Sequence, residues 1–158
     1  MIIEFRSLDL ESFSRIWDSG HNDNYQDSWP QKLEKTPTLE WQPVYDRWQI
    51  VMQEILHNNM PIGYIGLSPK SDKTAHLGYG IYNEFRGKGL CRKACSLYLE
   101  KQIPLLSKEI KYLMGTTLPE NKRSQKVLKR LGLDFYKKVV ESHNNQNINY
   151  LQFRKKLR

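Results

Sequence analysis

The most constraining stretch of this 158-residue chain runs from residue 74 to residue 90, where a strand pattern gives way to a glycine turn and then to a helix. Thr74 to Tyr82 alternates, with Ala75, Leu77, Tyr79 and Ile81 on one side and His76, Gly78, Gly80 and Tyr82 on the other. One face is therefore apolar and the other small or polar, the pattern of a strand that another group approaches closely. After Asn83-Glu84-Phe85 comes Arg86-Gly87-Lys88-Gly89-Leu90-Cys91. From Leu90 onward the period changes, with Ala94, Leu97 and Tyr98 at helical spacing until Pro104 enforces a stop. Two glycines permit a tight turn, and the first N–H groups of the following helix, reinforced by its dipole, favour an anion there. Arg86 and Lys88 add formal positive charge. Such a turn can hold a diphosphate; a plain strand-to-helix connection has the same local pattern.

The remaining periodicities place this unit in a sheet. Residues 1 to 6 alternate like a strand, Leu8 to Trp17 has helical spacing, and Gly20 to Tyr45 dissolves into polar residues, prolines and scattered aromatics. Trp48 to Leu56 and Ile62 to Leu67 predict two strands joined as a hairpin around His57-Asn58-Asn59-Met60. Ile110 to Thr116 is a short apolar strand, Pro119 to Leu131 a helix with Gly132 just past its end, and Phe135 to Val140 with Ile148 to Phe153 a closing hairpin. No repeat, low-complexity segment or linker interrupts this order, so residues 1–158 are expected to form one domain. A hydrophobic share of 39% against 27% charged excludes wholesale disorder, and no apolar run approaches a membrane span. The first residues lack the basic start and apolar centre of a signal peptide, which places the chain in the cytoplasm. Cys91 and Cys95, one helical turn apart, have no second pair to join and no neighbouring ligand to complete a metal site; they are expected to be buried small hydrophobes.

Tyr79-Gly80-Ile81-Tyr82-Asn83-Glu84-Phe85-Arg86-Gly87-Lys88-Gly89-Leu90 resembles the central motif of the GNAT acyltransferase superfamily, in which a bulged strand leads into an Arg/Gln-x-x-Gly-x-Gly/Ala turn. Asn121-Lys122-Arg123-Ser124, followed by Val127-Leu128-Lys129-Arg130-Leu131-Gly132-Leu133, resembles that family's Asn-x-x-Ser/Ala helix ending in Leu-Gly-Phe. The strong resemblance covers residues 61 to 140. It implies an α/β fold, a mixed and mostly antiparallel central sheet of about seven strands flanked by about four helices. It also implies acetyl-CoA as co-substrate without a metal, bound by residues 61–158, with residues 1–60 as a variable acceptor half. Two positions depart from the pattern. Cys91 stands where Gly or Ala is usual, and Leu128 stands where many relatives carry the tyrosine that protonates the departing thiolate, which leaves the general acid unassigned. The second departure makes the chain look like the branch that acetylates ribosomal-protein N-termini and related amines.

The resemblance implies an acetyl transfer to a primary amine by direct attack in a ternary complex. Cofactor contacts would come from Arg86, Gly87, Lys88, Gly89, Leu90 and Cys91 at the turn, from backbone groups of Ile81 and Tyr82, and from Asn121 with Ser124; Asn121 could equally be a helix cap. His76, on the small or polar face of its strand, is one candidate base, and Glu54 on the preceding strand is a second; Glu84 is read as structural. The four tryptophans, Trp17, Trp29, Trp41 and Trp48, lie among Asp18, Asp23, Asp27, Glu40 and Asp46, so Asp23, Asp27 and Trp29 are candidates to meet a cationic amine. Rings filling a core beneath a loop would read the same way. Residues 1–60 carry five Lys or Arg against ten Asp or Glu, a net −5, and residues 61–158 carry twenty against seven, a net +13. The basic half suits the phosphates of acetyl-CoA and makes nucleic acid a weaker expectation. Aminoacyl-tRNA acetylation and a non-catalytic acyl-CoA-binding module are the competing readings, and the chain is expected as a monomer or homodimer.

Overall fold

The computed structural model describes residues 2–21, 42–143 and 145–158. In chain order the described elements are β1 (Ile3–Ser7), α1 (Leu10–His21), α2 (Gln42–Val51), β2 (Met52–His57), β3 (Met60–Pro69), β4 (Thr74–Ile81), α3 (Leu90–Gln102), β5 (Tyr112–Thr117), α4 (Lys122–Arg130), β6 (Asp134–His143) and β7 (Gln146–Lys156). The strands form one seven-stranded sheet in the order β1-β2-β3-β4-β5-β7-β6. Strands β4 and β5 pair in parallel, because α3 carries the chain across between them; β1–β2, β2–β3, β5–β7 and β6–β7 are antiparallel. The fold class expected from the sequence, a mixed and mostly antiparallel sheet with four helices, is the one observed. No described helix is long and apolar enough to cross a membrane.

Local chemistry accounts for the element boundaries. Asp9 caps α1: its Oδ1 accepts from the Ser12 amide at 2.8 Å, while the Asp9 amide donates to Ser12 Oγ at 2.8 Å, a reciprocal arrangement that satisfies two donors at the helix start. The Ser12 hydrogen bonds hold the Asp9 carboxyl below its ordinary pKa. Asn58 and Asn59, at φ 50° and 67°, form the two-residue turn between β2 and β3, where both central residues need positive φ and Asn tolerates it. One boundary differs from the sequence expectation. Residues 48 to 51 end α2 and do not begin a strand; β2 starts at Met52. Pro43 suits the first turn of a helix, and Tyr45 and Trp48, three residues apart, share a helical face that packs on Phe13.

The chain forms two compact units, Met1–Gly66 with Tyr79–Leu90, and Leu67–Gly78 with Cys91–Arg158. In the first unit α1 buries Phe13, Ile16 and Trp17, each worth roughly 1.5–3 kcal/mol in surface removed from water. Phe13 and Trp17 pack with Tyr45 and Trp48, and a neighbouring cluster joins Leu8, Ile16 and Tyr82 to Trp48, Met52, Tyr64 and Phe85. In the second unit Leu113, Leu128, Leu133 and Phe153 are buried, and Leu128 lies over Gly115, where a methyl group would collide with the leucine branches.

Close backbone approach is tightest at Gly63, where an added Cβ would run into the carbonyl oxygen of Gly80. Backbone cannot rotate away as a side chain can, so Gly63→Ala is expected to destabilise the protein by about 1–3 kcal/mol. Urea unfolding of the two proteins measures this, and equal midpoints would show that the two backbones are not held this close.

Candidate functional site

The end of β4 and the turn after it are locked by their own hydrogen bonds. The Tyr82 amide donates to the Ile62 carbonyl at 2.8 Å, and the Tyr82 carbonyl accepts from the Phe85 amide at 2.9 Å. Arg86 folds back so that its Nε donates to the Ile81 carbonyl at 2.8 Å. Both backbone polar groups of Tyr82 and the carbonyl of Ile81 are thus engaged within the protein. Gly87 and Gly89 follow with φ of +81° and +74°, a backbone that side-chain-bearing residues adopt only with strain. A methyl group on either would meet nothing within 4 Å, so the turn is open where its glycines point. The thirteen-residue α3 begins at Leu90 immediately afterwards. Open glycines at positive φ, the unpaired amides of a helix start, and Arg86 and Lys88 in the same few residues fit a diphosphate. Cys91 is half-buried and Cys95 fully buried; a hydrogen bond with Cys91, then burial, pushes the Cys95 thiol up and keeps it protonated. Among the described residues no group of three His, Cys, Asp or Glu is placed to hold a metal ion.

Glu54 stands in a second group. Strand register aligns Arg6 on β1 with Glu54 on β2, and Glu54 with Tyr64 on β3. The Tyr64 ring lies against Gly80, where a Cβ would sit 2.5 Å from the phenol oxygen. The Glu54 side chain has no exposed surface, yet Arg6 NH2 donates to its Oε2 at 2.6 Å and Arg15 Nε, from α1, donates to its Oε1 at 3.1 Å. Arg15 also reaches Glu11 at 3.2 Å. Both oxygens of this carboxylate therefore serve two guanidiniums, a geometry that makes it an anchor between elements. Beside it the Tyr82 hydroxyl is buried without a hydrogen-bond partner. Burial and the Glu54 charge raise its pKa, with Arg15 opposing, so it stays a neutral donor. The sequence reading missed Arg6 and Arg15 because their link to Glu54 spans 48 and 39 residues and depends on strand register.

His76 lies on β4 opposite Met114 of β5, half-buried. Burial and then the Lys70 charge lower its pKa, with Asp72 and Glu141 acting the other way. On α4 the Asn121 side chain accepts from the Ser124 amide at 3.1 Å, so Asn121 is the helix cap that the sequence left as an alternative. Gln125, nearly buried, ties down the approach to that helix by donating to the Pro119 carbonyl at 2.8 Å; nothing in the local pattern marked it. Leu128 is a core side chain over Gly115 and offers no acid. Trp17, Trp48 and Tyr45 fill the core between α1 and α2, with Phe13–Trp48 centroids 5.3 Å apart. Asp23, Asp27 and Trp29 lie outside the described residues.

Comparison with known proteins agrees with this geometry. The sequence model of the acetyltransferase (GNAT) domain matches residues 2–134. The chain belongs to the GNAT acetyltransferase family. A search of curated proteins by sequence finds no match. Among solved structures this GNAT acetyltransferase is similar to a GNAT-family acetyltransferase from Bacillus anthracis, with a TM-score of 0.78 at 13% identity, covering 99% of this chain and 95% of the other. It is similar to RimL, the ribosomal L7/L12 alpha-N-protein acetyltransferase in complex with coenzyme A, with a TM-score of 0.72 at 15% identity, covering 98% and 94%. It also resembles the microcin C7 self-immunity acetyltransferase MccE in complex with acetyl-CoA and AMP, with a TM-score of 0.71 at 16% identity, covering 98% and 92%. At these identities the likeness is one of fold.

The two buried groups beside α1 make opposite demands on the stability of this GNAT acetyltransferase. Tyr82→Phe removes a hydroxyl that has no partner, so the unfolding free energy is expected to hold or rise slightly. Glu54→Gln leaves two guanidiniums facing an amide and is expected to cost about 1–3 kcal/mol. Chemical denaturation of both variants gives the comparison, and a large loss in Tyr82→Phe would show that the hydroxyl is hydrogen-bonded in solution.

Proposed function

We propose that this GNAT acetyltransferase passes the acetyl group of acetyl-CoA to a primary amine, a protein N-terminus or a small amine, by direct attack in a ternary complex. The observation that carries this reading is the open turn at Gly87 and Gly89 ahead of α3, in a chain whose family transfers acetyl groups. The fold likeness to RimL, an alpha-N-protein acetyltransferase, supports an amine as acceptor. Acetyl-CoA, when bound, supplies an acetyl group activated as a thioester. The amides from Gly87 to Cys91 hold the diphosphate, with Arg86 and Lys88 supplying charge, while Arg86 also fixes the end of β4 through the Ile81 carbonyl. Asn121 and Ser124, joined at the start of α4, and backbone groups of Ile81 and Tyr82 are proposed as further cofactor contacts.

His76 is the proposed base. Its pKa lies below the ordinary 6.5, so at physiological pH the imidazole is neutral and able to take the amine proton. Glu54, with both oxygens engaged by arginines, is assigned a positioning role. Asp23, Asp27 and Trp29 are proposed to meet the acceptor. Protonation of His76 then sets the acidic limit of turnover, with an inflection below pH 6.5. His76→Ala is expected to lower turnover and flatten that limb with little effect on acetyl-CoA affinity; an acidic limb unchanged in the variant removes His76 from the proton transfer.

The test of the whole reading follows free CoA release with acetyl-CoA against amines, peptides, hydroxyl compounds and aminoacylated tRNA. Turnover with amines or peptide N-termini supports it; turnover with tRNA alone transfers the reading to aminoacyl-tRNA, and binding without turnover makes the chain a binding module. Acetyl-CoA at about 100 times its Kd should stabilise the protein by about 2.7 kcal/mol. Gly89→Val, forced to φ +74°, should lose that gain and about 1–2 kcal/mol of its own. Absence of any acetyl-CoA-induced rise in the melting temperature of the unaltered protein overturns the assignment of the turn.

A further inference from the structure

Helix α4 carries five cations in nine residues, Lys122, Arg123, Lys126, Lys129 and Arg130, and no acid. At about 100° per residue they fall within an arc of about 120°, while Gln125 and Leu128 turn inward and are buried. All five are exposed, and among the described residues none of their side chains has an ion pair or a hydrogen bond. The acids nearest in sequence lie outside the helix: Glu120 precedes its cap Asn121, and Asp134 follows Leu133 at the start of β6, opposite Arg154. At the far end the ridge gains Lys155 of β7, whose Nζ would lie 3.3 Å from a Cβ added at Gly132. Local helix energetics oppose part of this order. Lys122 with Lys126 and Lys126 with Arg130 are like charges four residues apart, which repel. Lys122 and Arg123 also sit at the positive end of the helix dipole, whereas Lys129 and Arg130 are favoured at the negative end.

We propose that the outer face of α4 is a docking surface for a nucleic acid, held by its phosphate backbone. From Lys122 to Arg130 the ridge spans about 12 Å, and one strand of a duplex carries a charge per roughly 3.4 Å of axis, so about three phosphates can lie along it. Charge complementarity selects a polyanion, and the composition of the face selects its kind. Lys and Arg neutralise phosphates and release the counterions condensed on them. Lys is depleted from protein–protein interfaces, whose centres are built on aromatic and apolar anchors. Here Val127 and Leu128 fall outside the arc, with Leu128 in the core over Gly115. The face therefore offers no anchor to a protein groove and nothing to insert into lipid. Contacts of this kind hold and position a strand without reading its sequence. Such docking does not rest on the acceptor assigned to the acetyl transfer.

Fluorescence anisotropy of a short labelled single-stranded RNA, titrated with the protein at several salt concentrations, tests the proposal. The unaltered protein is expected to bind with an affinity that falls as salt rises, with a log–log slope of about 0.7 per phosphate neutralised, or about 2 for the ridge. Lys126→Gln combined with Arg130→Gln should weaken binding about tenfold or more and reduce that slope by about 1.4. Lys137→Gln combined with Lys138→Gln removes the same charge from the sheet edge and should leave binding nearly unchanged. Glutamine is a good helix former and the change on α4 relieves repulsion, so the melting temperature should hold or rise. If the double variant folds poorly, Lys126→Gln alone should still reduce the slope by about 0.7. Acetyl-CoA affinity, read from the thermal shift, should be the same in the α4 variant as in the unaltered protein; a parallel loss makes the ridge part of the co-substrate site and overturns the proposal. Failure of the unaltered protein to bind RNA overturns it, as does an equal loss in both double variants, which reports net charge alone. Binding of polyglutamate or phosphatidylserine vesicles through α4 in place of RNA overturns it too.

Discussion

A carboxylate with no exposed surface holds the first compact unit together. Taking a charge such as Glu54 out of water costs several kcal/mol, and the cost is tolerable only where hydrogen-bonded countercharges are fixed in place. Arg6 and Arg15 meet that demand from two directions, one from the neighbouring strand and one from α1. Their heads stay partly exposed, so the charge is compensated without burying three ions at once. The consequence is orientation: α1 is held over the strands at Arg15, and its other residues, Phe13, Ile16 and Trp17, are placed to build the core. The same cluster leaves Tyr82 buried beside Glu54, a few residues before the glycine turn.

The glycines divide into two kinds. Gly63, Gly80 and Gly115 are occupied by neighbours: a carbonyl, a tyrosine ring and a leucine branch fill the space a side chain would need. Gly87 and Gly89 are the reverse, held at positive φ with open space around them. The first kind serves packing, and the second leaves room for something from outside the protein. Of the small residues on β4, Gly80 accommodates Tyr64 and Gly78 faces nothing within 4 Å, so the small face of that strand has both uses in adjacent positions.

Charge has an equally divided role. The net +13 after residue 60 suits a polyanionic co-substrate, but part of it is already at work in the fold. Arg154 lies between the rings of Tyr112 and Tyr136, at 4.5 and 3.8 Å, and Arg158 donates to the carbonyls of Ser107 and Ile110 at 2.7 and 3.1 Å. At the edge of the sheet Lys137 and Lys138 place charge on an exposed strand, which discourages indiscriminate pairing.

The sequence by itself determined the strand, turn and helix from residue 74 to residue 102, the helix before Gly132 and the closing hairpin, because each follows from short-range periodicity, proline stops and glycine torsions. It also determined the tight glycine turn before α3, whose parts lie within six residues. It misplaced the start of β2, since Trp48 to Val51 is apolar enough for either state and only contact with Phe13 and Trp17 makes it helical. Tertiary structure alone decided what Glu54, Asn121 and the aromatics of α1 and α2 touch. Glu54 was legible as a carboxylate on a strand, and its two arginines, 48 and 39 residues away, were not. Asn121 was legible as a possible cap, and the 3.1 Å bond from the Ser124 amide shows that it caps α4. The reason is common to all three: local pattern fixes which way a side chain points along its own element, whereas its partners are set by register and packing between elements far apart in the chain.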